Sequence, residues 1–469
     1  MTRRVELPAV LCLIFLSAAS PVRGDGIHLS NLKDDETIRY PVPFLQGTID
    51  DKSATAITVI NQSSTRPTKE LKGVAHKGRF KALTELVPGP NKLVLRSGNR
   101  ELKVTLNYKP QTNSYVVQVI YMTDVTGNTK YQTPKRNDPQ NYRDKLDTVM
   151  KLMQSFTAER MNDLGFGRMT FNLEFDNNGR VDVHLLESPY PASHYYEIDG
   201  PPLYVAVRTD TEKKYAAVRA KKAVFTAFTR YNPATGKLLG NSVRGGEWTA
   251  VCGTGAMWAW PSSLAEVIPA FSSRAPIDTR LVKDDSDNRS TVWGSNATWL
   301  AAMLHELMHT WDLPHSKDPM DVIAGRGFIH YNRFYTFVEP PSKAMPRSYE
   351  FPDGQISYIA PMSGCSLKNS RWFALDDKPW KNGNPPRITA SGPSGDILIE
   401  SEHGLGYLGF DVKDEAVAHK SWGFGEKEPH RYLLTAAELK ELAGTTEVRL
   451  RALDVEGQLT QVETKNLKR

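Results

Sequence analysis

Cysteine is scarce in this chain of 469 residues, which contains only three. So low a number excludes a small disulfide-rich scaffold, in which many cysteines replace a hydrophobic core. Cys12 lies in an apolar segment near the start, so the folded part of the chain has Cys252 and Cys365. Their spacing is compatible with a disulfide and with two buried thiols alike. Both possibilities stay open at this stage.

An excess of charge of one sign is also lacking, because 59 Lys and Arg stand against 53 Asp and Glu. The formal net charge of +6 is spread along the chain, which argues against nucleic-acid binding through a concentrated basic stripe. After the first residues no apolar run is long enough to span a membrane. The 40% of hydrophobic residues nevertheless allow a sizeable core, and the length favours two to four domains.

The first 24 residues differ from the rest. A positive start, "MTRR", is followed by a short apolar core, "LPAVLCLIFLSAA", and by small residues in "SPVRG". This order predicts a signal peptide over residues 1–24. Small residues of the kind that precede a lipidated cysteine are missing before Cys12. We therefore expect a soluble protein that is secreted, periplasmic or at the cell surface.

Two segments, residues 25–110 and 385–469, show the alternation of β-strands. In the first, "ELKVTLNY" alternates strictly and "LVLRSGNRELKV" predicts a hairpin. It predicts a small β-sandwich that resembles the Ig-like modules of many secreted bacterial enzymes. For this module we favour a role as spacer or stabiliser over ligand binding. In the second, "YLGFDV" and "TEVRLRALDVEGQLTQV" predict another β-sandwich.

Residues 111–384 combine helix and strand patterns, so the fold class is multidomain α+β. "YVVQVIYM" predicts a buried strand, and residues 140–164 keep the apolar spacing of an amphipathic helix. "MTFNLEF", the turn "DNNGR" and "VDVHLLE" predict a hairpin. The stretch up to residue 287 is mostly strand and loop, and we expect cleft loops from residues 188–290.

"HELMHTWDLPH", residues 305–315, concentrates three of the 11 histidines of the chain. The preceding residues predict a helix capped by Ser295 or Asn296. His305 and His309 lie on the helix face opposite its apolar stripe. Residues 291–316 contain no Lys or Arg, so this second face is not a typical solvated surface. The apolar stripe consists of Leu300, Met303, Leu304, Leu307 and Trp311.

The spacing of these polar residues predicts a zinc site. Histidines at positions i and i+4 direct two ring nitrogens to one point. The turn "DLP" would bring His315 back as a third ligand, which leaves a fourth position open for water. Glu306 would then act as the general base that accepts a proton from this water as it attacks a carbonyl. Three protein ligands are typical of catalytic zinc rather than structural zinc.

This motif resembles the elongated zinc-binding motif of the metzincin metallopeptidases, HExxHxxGxxH. More narrowly, "LHELMHTWDLPHS" and "GFIHYNRFYTFVEP" resemble a largely uncharacterised family of fungal and bacterial metallopeptidases. The resemblance implies a metzincin-like domain over residues 111–384, a Zn²⁺ cofactor, hydrolysis of peptide bonds and a protein or peptide substrate. It also implies His305, His309 and His315 as ligands and Glu306 as the catalytic base.

One position departs from the metzincin pattern, because Asp312 stands where those enzymes have glycine. Asp is among the few residues that tolerate a left-handed backbone, so we expect the turn to persist. Its carboxylate would alternatively orient a ligand histidine. Met320 and Met362 are both candidates for the methionine turn that lies beneath the metal in metzincins.

Other interpretations remain open from the sequence. A downstream glutamate such as Glu339 or Glu350 would replace His315 as third ligand in a different class of zinc peptidase. A secreted, zinc-containing binding protein with a degenerate peptidase centre is the alternative outside enzymes. A carbohydrate-active enzyme is disfavoured because we identify no carboxylate pair. No motif indicates an oligomeric state.

Overall fold

A computed structural model describes residues 22–215, 218–423 and 426–467. The predicted signal peptide therefore lies outside the described residues except at its end. There, Val22 and Arg23 form a short strand that pairs with Leu29 and His28. The predicted boundary after Gly24 would place this strand in the leader, and the signal peptide over residues 1–24 stays a prediction.

The N-terminal strands form one sheet of nine in the order β1-β2-β4-β7-β6-β5-β8-β9-β3. Alternate residues of β9 are buried as predicted, and β8 and β9 form the predicted hairpin. Because the strands follow one continuous order, the Ig-like assignment stays a prediction. The strands are β1 (Val22–Arg23), β2 (Ile27–Leu29), β3 (Glu36–Ile38), β4 (Phe44–Ile49), β5 (Ala56–Asn61), β6 (Glu70–His76), β7 (Arg79–Leu83), β8 (Gly89–Ser97) and β9 (Arg100–Tyr108).

This N-terminal sheet packs directly on the middle of the chain. The rings of Phe44 and Phe334 lie 4.2 Å apart between centroids. The buried Lys81 donates hydrogen bonds of 2.8 and 2.7 Å to the backbone carbonyls of Arg333 and Thr336. These contacts agree with a stabilising role for residues 25–110.

The middle of the chain is built around a second sheet, with the order β11-β10-β13-β17-β16 and β12 also paired to β10. Only β16, at one edge, runs antiparallel to its neighbour in this sheet. The predicted strand and long helix are confirmed as β10 and α1. The strands are β10 (Val116–Thr123), β11 (Asn172–Leu173), β12 (Val183–Glu187), β13 (Ala220–Thr226), β14 (Arg230–Asn232), β15 (Lys237–Leu239), β16 (Val243–Gly246) and β17 (Thr249–Gly253).

Helices and short strands complete this middle part. The long helix α5 packs against β16 and β17, so its histidines lie beside the antiparallel edge of the sheet. These elements are α1 (Tyr142–Asp163), α2 (Ala192–Tyr196), α3 (Gly200–Lys214), α4 (Val267–Ser272), α5 (Val292–Thr310), β18 (His315–Ser316), α6 (Asn332–Tyr335), β19 (Val338–Glu339), β20 (Tyr349–Glu350) and α7 (Pro361–Lys368).

The predicted hairpin of residues 169–187 has a different pairing in the structure. Its turn is present, with Gly179 at φ +69°, but only one bridge, Phe175 to Val181, joins its two arms. Instead, β11 and β12 both pair in parallel with β10, one after the other along the same edge.

The C-terminal part contains two sheets, with the orders β18-β24-β23-β26-β27 and β21-β22-β25. Both contribute to one core that includes Ile399, Phe410 and Leu450. Strand β18 comes from residues predicted to belong wholly to the middle domain. The other elements are β21 (Arg387–Ser391), β22 (Asp396–Glu400), β23 (Leu405–Val412), β24 (Glu415–Ser421), β25 (Arg431–Leu434), α8 (Ala436–Ala443), β26 (Arg449–Asp454) and β27 (Leu459–Glu463).

Cys252 and Cys365 are both buried thiols and are not joined in a disulfide, which decides between the two possibilities left by the sequence. Cys252 lies in β17 and Cys365 in α7. Within the described ranges, we find no helix with the length and apolar character needed to cross a membrane.

Candidate metal centre

Helix α5 carries His305, Glu306 and His309. It begins after Thr291, whose side-chain oxygen accepts a hydrogen bond from the N–H of Gly294. The prediction that Ser295 or Asn296 caps this helix is wrong, because both residues lie buried within its first turns. Its predicted apolar stripe is buried throughout, and this packing fixes the direction in which the histidines point.

The three histidines converge at one point. The Nε2 atom of His305 lies 3.2 Å from Nε2 of His309 and 3.3 Å from Nε2 of His315. The Nδ1 atoms of His305 and His309 lie 2.9 and 2.8 Å from the carbonyls of Val322 and Leu313. A carbonyl only accepts, so each Nδ1 carries the proton and each Nε2 presents a lone pair. The facing lone pairs of His305 and His309 repel each other, and a metal ion bound between them would remove this repulsion.

Burial keeps the two helical histidines neutral. It lowers the pKa of His305 to about 3 and that of His309 to about 4, because a charged imidazolium is poorly solvated there. Neutral imidazole is the form that binds metal ions. The three histidines form a group that can hold a metal ion.

Glu306 lies beside the edge strand β16. Its exposed fraction is 9%, and burial raises its pKa to about 7. The N–H of Gly245 in β16 donates a hydrogen bond to the Glu306 carboxylate. A Cβ atom at Gly245 would lie 1.9 Å from the backbone oxygen of Glu306, so only glycine permits this close approach.

The chain turns toward the third histidine at Asp312, which has φ +61°. This left-handed backbone confirms the expectation drawn from the glycine of the metzincin motif. Its carboxylate contacts Gln461, at 3.5 Å, and no described contact links it to a histidine. The backbone conformation therefore explains Asp312 better than an orienting role of its carboxylate.

The two glutamates considered as alternative third ligands, Glu339 and Glu350, form ion pairs elsewhere in the structure. Glu339 forms a buried ion pair with Arg333, with Nε 2.8 Å from Oε1. Glu350 forms surface ion pairs with Lys77 and His76. Neither belongs to the group of potential metal ligands, so the structure disfavours both as alternatives to His315.

Met320 lies close to the segment that supports His305. The N–H of Tyr358 donates to the Met320 carbonyl, and the N–H of Val322 donates to the Tyr358 carbonyl. Met362 lies in the first turn of α7, which begins five residues before the predicted helix "SLKNSRWFALDD" and ends within it. The assignment of the methionine turn therefore stays open between them.

The histidines open into a cleft of about 570 Å³ that lies between two walls. One wall is β16, within the residues expected to supply cleft loops. The other wall comes from the C-terminal sheet, and the sequence did not predict that this sheet lines the cleft. Arginines in "VRLRALDV" were a signal of buried charge in a strand, but nothing in the sequence identified their partners. The missed lining residues are Asp411, Asp414, Arg449, Arg451 and Gln461.

Two yeast proteins are similar to this chain. One, named "Putative zinc metalloproteinase", from Schizosaccharomyces pombe, is 25% identical over 334 residues, which are 66% of this chain and 54% of that protein. Another of the same description, from Saccharomyces cerevisiae, is 22% identical over 355 residues, 67% of this chain and 49% of that protein. The chain thus spans about half the length of each relative.

Solved structures of OgpA from Akkermansia muciniphila are also similar. The wild-type structure has a TM-score of 0.45 and 16% identity, and covers 76% of this chain and 96% of its own. Catalytically inactive OgpA in complex with an O-glycopeptide (glycodrosocin) substrate has the same TM-score and identity, over 76% and 95%. At this TM-score the likeness supports no conclusion about this chain.

A family profile covers most of the chain. The profile described as "Metallopep: Putative peptidase family" matches residues 26–387. This range includes strands β2 to β9 of the N-terminal sheet, helix α5 and all three histidines, and it ends where the C-terminal strands begin. The chain belongs to this peptidase family.

Proposed function

We propose that the protein is a zinc-dependent metallopeptidase that hydrolyses peptide bonds. His305, His309 and His315 are the proposed ligands and Glu306 the proposed general base. The observation that carries this proposal is the convergence of three histidine Nε2 atoms beside a buried glutamate in an open cleft.

The three histidines fit zinc in number, chemistry and spacing. Zn–N bonds of ~2.0–2.1 Å in a tetrahedral site place neighbouring nitrogens ~3.3 Å apart. Two of the three separations, 3.2 and 3.3 Å from His305, agree with this value, and all three potential ligand atoms lie within 4.8 Å of one another. When bound, zinc supplies Lewis-acid activation of water and of the peptide carbonyl.

Glu306 directly follows His305 and lies three residues before His309. Its carboxylate therefore lies beside the proposed metal position. It lines the cleft together with His309 and His315. A carboxylate in this place takes the proton of the attacking water and passes it to the departing amine. The Gly245 backbone lowers the pKa of this carboxylate, against the larger effect of burial.

The edge strand β16 offers a binding site for an extended substrate. It is the last strand in its sheet order, so its outer edge has no partner strand among the described residues. An extended peptide can add to such an edge through backbone hydrogen bonds. The same strand contacts Glu306, so a peptide bound there passes next to the proposed metal.

Metal analysis of the purified protein, combined with a mixed peptide library, tests this function. We expect one zinc per chain and zinc-dependent cleavage. Glu306→Gln should keep zinc and lose at least ~100-fold in kcat, because Gln preserves shape and hydrogen bonding but accepts no proton. A Glu306→Gln variant with wild-type activity would exclude Glu306 as the base.

Zinc without cleavage of any peptide would instead favour a secreted, non-catalytic zinc-binding protein. Export of the chain is a separate proposal. It rests on the pattern of residues 1–24 alone.

A further inference from the structure

The third histidine lies on a strand of the C-terminal sheet. Strand β18 pairs in parallel with β24, with His315 opposite Glu415 and Ser316 opposite Ala416. His305 and His309 are held by helix α5 and by their Nδ1 hydrogen bonds, whereas His315 is exposed. The backbone pairing of β18 therefore determines where the His315 ring lies.

The turn that leads to β18 is attached to the same sheet. Arg451 in β26 donates a hydrogen bond of 3.0 Å from Nη1 to the Asp312 carbonyl. The next carbonyl, that of Leu313, accepts from Nδ1 of His309. The Leu313 carbonyl is thus hydrogen-bonded to a histidine of α5, and the Asp312 carbonyl is hydrogen-bonded to the C-terminal sheet.

Arg451 is itself fixed in a built pocket. Its exposed fraction is 2%, and its Nε lies 3.0 Å from Oδ2 of Asp411 in the neighbouring strand β23. Its Nη2 donates to the Tyr407 hydroxyl at 3.3 Å. A Cβ atom at Gly409 would lie 2.7 Å from Nη2, so a glycine there leaves room for the guanidinium.

A buried ion pair of this kind adds little stability compared with apolar side chains of similar volume, because both charges lose hydration. A planar guanidinium does provide donors in fixed directions, which Lys would not. Here Asp411 occupies one side of the guanidinium, and Nη1 points to the Asp312 carbonyl. The ion pair of Arg451 and Asp411 is therefore better explained by the direction that it gives to Nη1 than by a contribution to the stability of the fold.

We propose that Arg451 is a positioning residue of the metal centre. Held by Asp411, it fixes the Asp312 turn and thereby places His315 next to the other two histidines. The C-terminal sheet, which lies beyond the end of the family match at residue 387, is then part of the metal site rather than an appended module. This inference rests on the proposed metal site but is independent of the proposed hydrolysis.

The test compares zinc affinity in full-length variants by competition with a chromophoric chelator. Arg451→Met should weaken zinc binding about 10- to 100-fold, the range for residues that orient metal ligands. It should also change the Co²⁺ absorption spectrum in the same direction as His315→Ala. Arg333→Met is the matched control, because it breaks a comparably buried ion pair that contacts none of the three histidines. It should keep the wild-type affinity.

Loss of Arg451 alone leaves the buried Asp411 without its partner and can unfold the chain. The double variant Arg451→Met with Asp411→Leu removes both charges, and circular dichroism reports whether it folds. We expect a folded protein whose zinc affinity is still reduced about tenfold or more. Wild-type affinity in this variant would overturn the inference.

A double-mutant cycle with His315→Ala separates positioning from general damage. If Arg451 acts through His315, Arg451→Met should cause no further loss of affinity in the His315→Ala protein. Equal losses in both backgrounds would contradict the inference. A wild-type protein that binds no zinc would overturn it together with the proposed metal site. Zinc binding that depends on Arg451, without peptide cleavage, would support it and contradict only the proposed hydrolysis.

Discussion

Asp312 has a left-handed backbone at the point where the chain leaves α5 for the third histidine. A left-handed conformation is unstrained for glycine, tolerated by aspartate and costly for β-branched residues, by ~1–3 kcal/mol. The type of side chain at position 312 thus determines the strain of the turn. The backbone carbonyl of the same residue accepts the hydrogen bond from Arg451.

We expect Asp312→Gly to keep zinc affinity close to that of the wild type and Asp312→Val to weaken it about tenfold. Glycine adopts the observed φ freely, whereas valine would shift the turn and with it His315. Zinc titration of both variants is the measurement. Equal losses in the two variants would instead assign the role to the carboxylate.

Arg244 is a cleft arginine whose charge acts on the Glu306 carboxylate, lowering its pKa against the larger effect of burial. Arg449 pairs with Asp414 and Arg451 with Asp411, but Arg244 forms no ion pair within the described part of the chain. It is exposed on β16 and lines the cleft with Glu306. An unpaired cation in this place attracts a negative group on a bound peptide.

We therefore expect peptides with Asp or Glu near the scissile bond to be preferred. Arg244→Gln should lower kcat/KM for these peptides roughly 3- to 10-fold more than for neutral peptides, which share only the effect of its charge on Glu306. Arg449→Gln is the control, because the charge of Arg449 is already offset by Asp414 and Glu463. Equal losses for acidic and neutral peptides would contradict a role in charge recognition.

At the scale of elements, strand β16 and helix α5 approach most closely at Gly245. The backbone oxygen of Glu306 would lie 1.9 Å from a Cβ there, and backbone gives way less easily than a side chain. The neighbouring Gly246 has more room, because its nearest atom would be the Tyr204 hydroxyl oxygen at 3.6 Å.

Gly245→Ala should therefore destabilise the protein by ~1–3 kcal/mol and impair peptide cleavage, because the strand must move away from the helix. Gly246→Ala, one residue away, should change stability by less than ~1 kcal/mol. Urea unfolding of both variants measures the difference. Similar midpoints for the two variants would show that the strand adapts to the added methyl group.

Elements with strong local signals were predictable from the sequence. The apolar spacing of α1 and α5, the HExxH residues and the return of His315 all follow from patterns within a few turns. The left-handed Asp312 was predictable because so few residue types tolerate it. The structure confirms both helices, the left-handed Asp312 and the proximity of the three histidines, whereas their role as metal ligands stays a prediction.

Pairings between distant segments were not predictable. Strands β11 and β12 alternate as a hairpin would, but β10 competes for both arms. The pairing of β18 with β24 joins a two-residue strand to one about a hundred residues away. So short a strand has no periodicity, and an arginine in β26 gives no indication that its acceptor is the Asp312 carbonyl.

At the scale of the whole molecule, the proposed metal links two parts of the chain. Two ligands come from helix α5 and the third from a strand of the C-terminal sheet. An ion that binds only the folded state stabilises it according to its free concentration. The metal site is thus a connection between the middle and the C-terminal part.

Zinc should therefore raise the melting temperature, and its removal by a chelator should lower it. At a free zinc concentration of 100 times Kd, the expected stabilisation is ~2.7 kcal/mol. Differential scanning calorimetry with and without zinc measures this, and His315→Ala should show a much smaller shift. A zinc-dependent shift of full size in His315→Ala would exclude His315 as a ligand.

The contact between Asp312 and Arg451 spans 139 positions of the chain, and this has a consequence for synthesis. A nascent chain that has just released residue 384 from the ribosome already contains all three histidines and Glu306. It still lacks β24 and β26, which hold the third histidine in place. If the proposed metal site is correct, a chain truncated before β24 should bind zinc much more weakly than the chain that includes β24 and β26.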